Sequence, residues 1–176
     1  IHAHDAAHLD MKLENILLDK NFVAKITDFD LSYMPEDKEI NSKGTENYRA
    51  PEIISGTCKD GKAADIYSLA IILFLLKTRG RMPFIENALY NGVDMKSLLQ
   101  NDTELFWKKH CEFMGKKDNF FSEDFKRLFE SMTKQAPNKR VTMQEIKKSE
   151  WCNQEVYCQE KVFELMNTKF NLANSQ

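Results

Sequence analysis

The chain opens on a stretch with no hydrophobic period. Residues 1–15 hold the polar side chains His8, Asp10, Lys12, Glu14 and Asn15 among a few apolar ones. That is the pattern of a loop rich in polar groups. Ile16-Leu17-Leu18 follows, then Asp19-Lys20-Asn21, then Phe22 to Thr27, where Phe22, Ala24 and Ile26 alternate with Val23, Lys25 and Thr27. The period of two predicts two short strands joined by a tight turn. Residues 30–50 are polar and irregular, with Pro35, Gly44 and many charges. A loop of that length inside a compact domain is usually functional or disordered.

The pattern then changes. Ala63 to Thr78 predicts a helix, and from Ile66 to Leu76 its side chains are apolar nearly all round, which marks a buried helix. Asp65 lies near its positive N-terminus and Gly80 follows its end. A second helix is predicted from the N-cap Ser122 to Thr133, with Phe125, Leu128, Phe129 and Met132 at helical spacing. Thr142 and Glu145 form a T-x-x-E capping box that starts a third. Val156, Val162, Phe163, Met166 and Phe170 predict one more amphipathic helix, fraying after Leu172.

Composition narrows the function classes. A chain of 176 residues is about one domain, long enough to bury a core. Its 42% hydrophobic and 30% charged residues are ordinary for a globular protein. A net charge of −2 gives no reason to expect nucleic acid or a membrane surface as partner. Cys58, Cys111, Cys152 and Cys158 form no CxxC pair. They read as reduced thiols of an intracellular, cytoplasmic protein, with neither a zinc site nor a disulfide framework. The longest apolar run, Ile66 to Leu76, is too short to span a bilayer. No signal peptide is apparent. The first residue is Ile1, which reads as a fragment, a processed product or an incomplete gene model.

Three segments carry the chemistry. They are His8-Leu9-Asp10-Met11-Lys12-Leu13-Glu14-Asn15, then Asp28-Phe29-Asp30 after the second strand, then Gly44-Thr45-Glu46-Asn47-Tyr48-Arg49-Ala50-Pro51-Glu52. Taken alone, an Asp and an Asn in a loop more often form a turn. The ordered series resembles the eukaryotic-type protein kinases, whose catalytic loop H-R-D-x-x-x-x-N is followed by D-F-G and A-P-E. Asp65-Ile66-Tyr67-Ser68-Leu69-Ala70 is similar to the family's buried central helix. Arg140, after Pro137-Asn138-Lys139, matches the partner of the A-P-E glutamate. The resemblance covers residues 1 to about 152 and implies a mainly α fold. That fold is a kinase C-terminal lobe, a helical bundle with a short β-hairpin at the catalytic site, with 153–176 as a helical extension or tail.

The resemblance also implies roles. Asp10 would accept the proton of the attacking hydroxyl. Lys12 would stabilise charge on the phosphate of ATP. Asn15 and Asp28 would hold Mg2+, and Thr45 would shape the substrate pocket beside Asp10 and Lys12. Lys12 and Thr45 point to the serine/threonine kinases. His8 would pack near the metal-binding turn, Asp65 would brace the catalytic loop, and Glu52 would pair with Arg140. Glu14 would attract basic residues of a protein or peptide substrate. Gly80-Arg81-Met82-Pro83-Phe84 and Phe106-Trp107-Lys108-Lys109-His110 resemble the calcium/calmodulin-dependent group. The tail lacks the strongly basic helix of a calmodulin target. Ser42 is a candidate phosphosite, with a plain solvated serine as the other reading.

Three departures qualify the picture. The N-terminal lobe, with its Gly-rich loop and ATP-binding lysine, is missing ahead of Ile1, so the isolated 176 residues are expected to transfer little phosphate. Leu9 stands where the family has Arg, so a phosphate on the long loop would not be the main switch. Asp30 stands where it has Gly, which permits unusual backbone angles and lets the loop flip. Asp there tolerates left-handed angles less well and adds negative charge close to the metal site, so slower catalysis or a loop held in one state is expected. A pseudokinase or truncated lobe acting as a non-catalytic binding module is the second reading. An incomplete gene product, aggregating through exposed apolar surface, is the third.

Overall fold

The computed structural model describes residues 1–37, 39–40, 44–86 and 88–173, with side chains as far as residue 169. Ser42 and the side chains of Phe170 and Leu172 lie outside that description.

Strands β1 (Ile16–Leu18) and β2 (Ala24–Ile26) pair antiparallel, with Ile16 opposite Ile26 and Leu18 opposite Ala24. Asp19 makes the turn. Its Oδ1 accepts from the amides of Asn21 at 2.9 Å and Val23 at 3.0 Å, and Phe22 takes the left-handed conformation at φ 60°. Phe22 therefore belongs to the turn and not to the strand. The alternation in sequence does not become an inside and an outside either. Ala24 to Ile26 are exposed throughout, and Leu17 and Leu18 are more than half exposed. Ile16 packs against the core, and Phe163 and Gln159 touch the turn at Phe22 and Asn21.

Helices build the rest. Helix α1 (Pro51–Ile54) starts on a proline, whose missing N–H costs nothing at a first turn. Helix α2 (Gly61–Thr78) begins two residues earlier than its apolar run suggests, because Asp60 caps it by accepting from Lys62 and Ala63 N–H. Gly61 is required there: a Cβ would lie 2.7 Å from that of Ala7. The left-handed C-cap is Arg79 at φ 59°, one residue before Gly80. The amides of Arg79 and Gly80 both donate to Leu75 O, so the chain reverses at Arg79.

Helices α3 (Met95–Asn101) and α4 (Thr103–Met114) are absent from the sequence-based expectation and are capped by Asp94 and Asp102. Helix α5 (Glu123–Met132) and helix α6 (Met143–Lys148) follow, the latter with its capping box formed. Helix α7 (Gln159–Ala173) ends the described chain. Val156 precedes it and is 80% exposed, so it is no part of an amphipathic face. No helix among the described residues is long and apolar enough to cross a membrane.

The core sits between α2, α4 and α5. Phe74 is its hub, with the rings of His110, Phe129 and Phe121 at 4.7, 5.3 and 5.5 Å. Trp107 stacks on Phe74 and donates from Nε1 to Glu130 at 2.7 Å. Each fully buried aromatic of this kind contributes about 1.5–3 kcal/mol. The core thus anchors α2, whose first turns reach up to the polar loops. Among the described residues the fold is mainly α with one two-stranded sheet.

Candidate catalytic site

Helix α2 positions the loop 8–15 through Asp65. Its Oδ2 accepts from His8 N and its Oδ1 from Leu9 N, both at 2.8 Å. His2 adds a contact to Oδ2 at 2.9 Å. Two carboxylate bonds hold Leu9 in a left-handed conformation, φ 63°, that a leucine would not choose. Leu9 is buried, and its side chain lies in the apolar core beside Gly61.

His8 is fully buried. Asp10 N donates to its Nδ1 at 3.2 Å, so the proton is on Nε2, which donates to Thr27 O at 2.9 Å. The imidazole thus ties the loop to the end of β2. Asn15 makes a second tie: Thr27 N donates to Asn15 O at 3.0 Å. The Asn15 amide nitrogen donates to Asp10 O at 3.0 Å, leaving its Oδ1 free of hydrogen bonds to the described residues. Asp28 follows Thr27 in the left-handed region, φ 65°. Phe29 lays its ring against His8 at 5.0 Å.

Asp10 is the centre of the cluster. Lys12 Nζ donates to its Oδ2 at 2.7 Å and to Thr45 Oγ1 at 3.0 Å, while Thr45 Oγ1 donates to Asp10 Oδ1 at 2.6 Å. Gly44 makes that approach feasible, since a Cβ there would lie 2.8 Å from Leu9 O. Burial pushes the Asp10 carboxyl up, but the hydrogen bonds from Lys12 and Thr45 and the Lys12 charge outweigh it and hold it below the usual range. The bond to Asp10 raises the Lys12 ammonium, helped by the charges of Asp28 and Glu14. At neutral pH the pair is carboxylate and ammonium.

The structure therefore brings Asp10, Lys12, Asn15 and Thr45 together, with His8 and Asp65 directly behind them. Asp28 is near enough to act on Lys12 through its charge. Glu14 is exposed at the rim. Glu52 and Arg140 lie apart, as a bidentate buried pair with Nη2 to Oε2 at 2.7 Å. Arg140 also donates to the carbonyls of Lys134 and Ala63 and lies over the Tyr67 ring at 5.0 Å. Asp30 is not in the left-handed region; the positive φ of the Asp28-Phe29-Asp30 turn falls on Asp28. No left-handed backbone strain therefore falls on Asp30, which lies in a turn closed by Ser32 N on Phe29 O at 3.0 Å.

Two further residues belong to this neighbourhood. Arg49 and Glu86 form a bidentate pair, and sequence reasoning passed over both. A charged residue among the apolar neighbours of Tyr48 to Ile54 needs a partner, but nothing in the sequence says that the partner is 37 residues away.

A metal fit can be judged from the donors. No group of three or more His, Cys, Asp or Glu among the described residues is arranged to hold a metal. Magnesium held by one carboxylate, one amide oxygen and nucleotide phosphates does not need such a group. Asp28, whose carboxylate has no hydrogen bond to a described residue, and the Oδ1 of Asn15 are donors of that kind.

A family model described as protein kinase domain matches residues 1–152. The SNF1-like protein kinase ssp2 of Schizosaccharomyces pombe is 33% identical over 154 residues, covering 86% of this chain and 24% of that protein. CBL-interacting serine/threonine-protein kinase 24 of Arabidopsis thaliana is 36% identical over 153 residues, 85% of this chain and 31% of that protein. The carbon catabolite-derepressing protein kinase of Candida tropicalis is 32% identical over 157 residues, 88% and 23% respectively. The chain thus spans about a quarter to a third of the length of these relatives. With the motif order, the family match and these relatives in agreement, the chain belongs to the eukaryotic-type protein kinase family, among relatives of the serine/threonine class.

Proposed function

We propose that this chain is the C-terminal lobe of an ATP- and Mg2+-dependent serine/threonine protein kinase, acting within a longer polypeptide. Residues 1–152 are the lobe and 153–176 a helical extension. The observation that carries the reading is the carboxylate of Asp10, held between Lys12 and Thr45 at 2.7 and 2.6 Å. In the proposed reaction a serine or threonine hydroxyl oxygen bonds to the γ-phosphorus of ATP as the bond to the β,γ-bridging oxygen breaks. Asp10 orients the hydroxyl and takes its proton. Its lowered pKa keeps it ionised, so it accepts the proton late, as the phosphoryl group transfers. Lys12 neutralises charge on the transferring group. Asn15 and Asp28 would hold magnesium, which supplies charge neutralisation between the phosphates when bound. Thr45 places the acceptor over Asp10, and Glu14, exposed at the rim, favours basic peptides.

The exposed apolar side chains around the hairpin support the presence of a second lobe. Leu17, Leu18, Phe29, Leu31 and Met34, in and after the hairpin, are 44–54% exposed, more apolar surface than one short segment of a soluble domain ordinarily leaves uncovered. In this reading the N-terminal lobe of the same polypeptide packs there and supplies the roof over ATP. The same surface favours the alternative of a non-catalytic module that docks a protein. The setting is cytoplasmic.

The test is transfer of labelled γ-phosphate to a serine and threonine peptide library by the full-length polypeptide. Magnesium-dependent labelling that favours basic peptides supports the reading. Nucleotide-independent capture of a protein without any labelling favours the docking module.

A further inference from the structure

Thr45 reaches Asp10 from a loop, and loops do not hold a hydroxyl within 2.6 Å of a carboxylate unaided. Two fastenings are visible. On the inner side Ser68 of α2 donates to Tyr48 O at 2.8 Å. On the outer side the loop is tied to the segment after α2. Arg49 donates from Nη2 to Glu86 Oε1 at 2.7 Å and from Nε to Oε2 at 3.1 Å. The Glu86 amide donates to Asn47 Oδ1 at 2.7 Å. That bond accompanies a left-handed Asn47 at φ 68°. The Glu86 side chain is only 4% exposed, and the Arg49 fork is bonded to both of its carboxylate oxygens.

The geometry runs on to Thr45. The methylene stem of Arg49 passes beside Gly44: a Cβ at Gly44 would lie 3.6 Å from Arg49 Cγ. The turn between them is closed by Tyr48 N on Thr45 O at 3.2 Å. A fork gripping Glu86 thus fixes a stem, the stem backs Gly44, and Gly44 carries Thr45. We propose that Arg49 and Glu86 are a positioning pair that holds Thr45 against Asp10 and so sets the place of the acceptor hydroxyl. Neither residue touches the reacting atoms. The inference rests on the kinase reading and adds to it the residues that fix the acceptor side of the site. A consequence is that Glu86, though acidic and near the site, is occupied by Arg49. A preference for basic peptides then falls to Glu14.

The test compares Glu86→Gln and Arg49→Lys with the unaltered full-length polypeptide, using a serine peptide, ATP and Mg2+. Gln keeps the shape of Glu86 but not its charge, and Lys keeps the charge of Arg49 but not its fork. The expected result is a roughly tenfold fall in kcat with the KM for ATP unchanged. Amide exchange should quicken at residues 44–48 and stay unchanged in α2. In a Thr45→Ala background, Glu86→Gln should have no further effect, since the pair acts through Thr45. Wild-type kcat and exchange in both variants overturn the inference while leaving the kinase reading intact. Faster exchange throughout the lobe, with weaker ATP binding, overturns it by making the pair a support of the whole fold. Absence of phosphate transfer by the unaltered polypeptide overturns the kinase reading, and the inference with it.

Discussion

The two ends of this molecule are held by different physics. At the helical end, Phe74, Phe106, Trp107, Phe121, Phe125 and Phe129 are buried to within a few per cent and meet ring to ring. Packing holds that end, and its few polar groups are deep: Trp107 Nε1 donates to Glu130, and His110 is bonded through Nε2 only among the described residues. At the hairpin end, short loops are fixed by single carboxylates: Asp65 on His8 and Leu9, Asp19 on its turn, Asp10 on Lys12 and Thr45. Three of the residues there, Leu9, Asp28 and Asn47, sit in left-handed conformations, and Leu9 and Asn47 are held in theirs by bonds to Asp65 and from the Glu86 amide. A packed end tolerates polar substitution badly and chemistry not at all. A hydrogen-bonded end can hold a reactive carboxylate in a defined place.

If that division is right, substitutions at the two ends should fail in different ways. The largest effect expected is on transfer. Asp10→Asn in the full-length polypeptide should lower kcat by about 10²–10⁴-fold, while its thermal midpoint stays near that of the parent. Arg140→Ala should do the reverse and cost about 3–5 kcal/mol of stability, because it strands the Glu52 carboxylate, 6% exposed, without its bidentate partner. A denaturant titration reads this directly, and an unchanged midpoint would sink the assignment.

A pH effect of similar size belongs to the core. His110 is fully buried, with Nε2 on Pro83 O at 2.8 Å and Nδ1 without a partner among the described residues. Burial pushes its pKa down to about 4 from 6.5. A histidine held neutral in this way contributes stability above its unfolded pKa, and that contribution is lost as pH falls through the folded value. About 3 kcal/mol should therefore disappear between pH 6.5 and 4. Replacing His110 with Gln should flatten that slope in a pH series of melts. Asp10 sharpens the contrast. Its carboxyl lies below the usual range, so transfer should show no acidic limb from this group near neutrality. The smallest effect is at a cap: Asp60→Ala should cost about 1 kcal/mol, since Lys62 and Ala63 N–H lose their acceptor.

The same division explains what could be read from the sequence. The buried face of α5 and the capping box of α6 follow local rules, with Phe125, Leu128, Phe129 and Met132 four and three residues apart. Helix α3 is only seven residues long and carries little periodicity of its own. Helix α4 was legible: Phe106, Trp107, His110 and Cys111 recur at helical spacing, with Lys108, Lys109 and Glu112 on the opposite face. The two strands follow from the sequence but not their surroundings: alternation in β2 suggests one buried face, yet Ala24–Ile26 are exposed on both. Arg79 taking the left-handed cap ahead of Gly80 is a choice made by the Leu75 carbonyl, which no pattern records. In the site, the resemblance to the protein kinases points to Asp10, Lys12, Asn15 and Thr45, whereas tertiary contact alone joins Arg49 to Glu86. Long-range ion pairs of this sort leave no periodicity behind them.

The central claim is that Asp10 serves chemistry and not the fold. The direct measurement pairs two readings on Asp10→Asn in the full-length polypeptide: γ-phosphate transfer to a serine peptide, and the thermal midpoint. The account predicts transfer lost by at least about 10²-fold with the midpoint held within a degree or two. Transfer at the parental rate would contradict it, and so would a collapse of the midpoint that accounts for the loss.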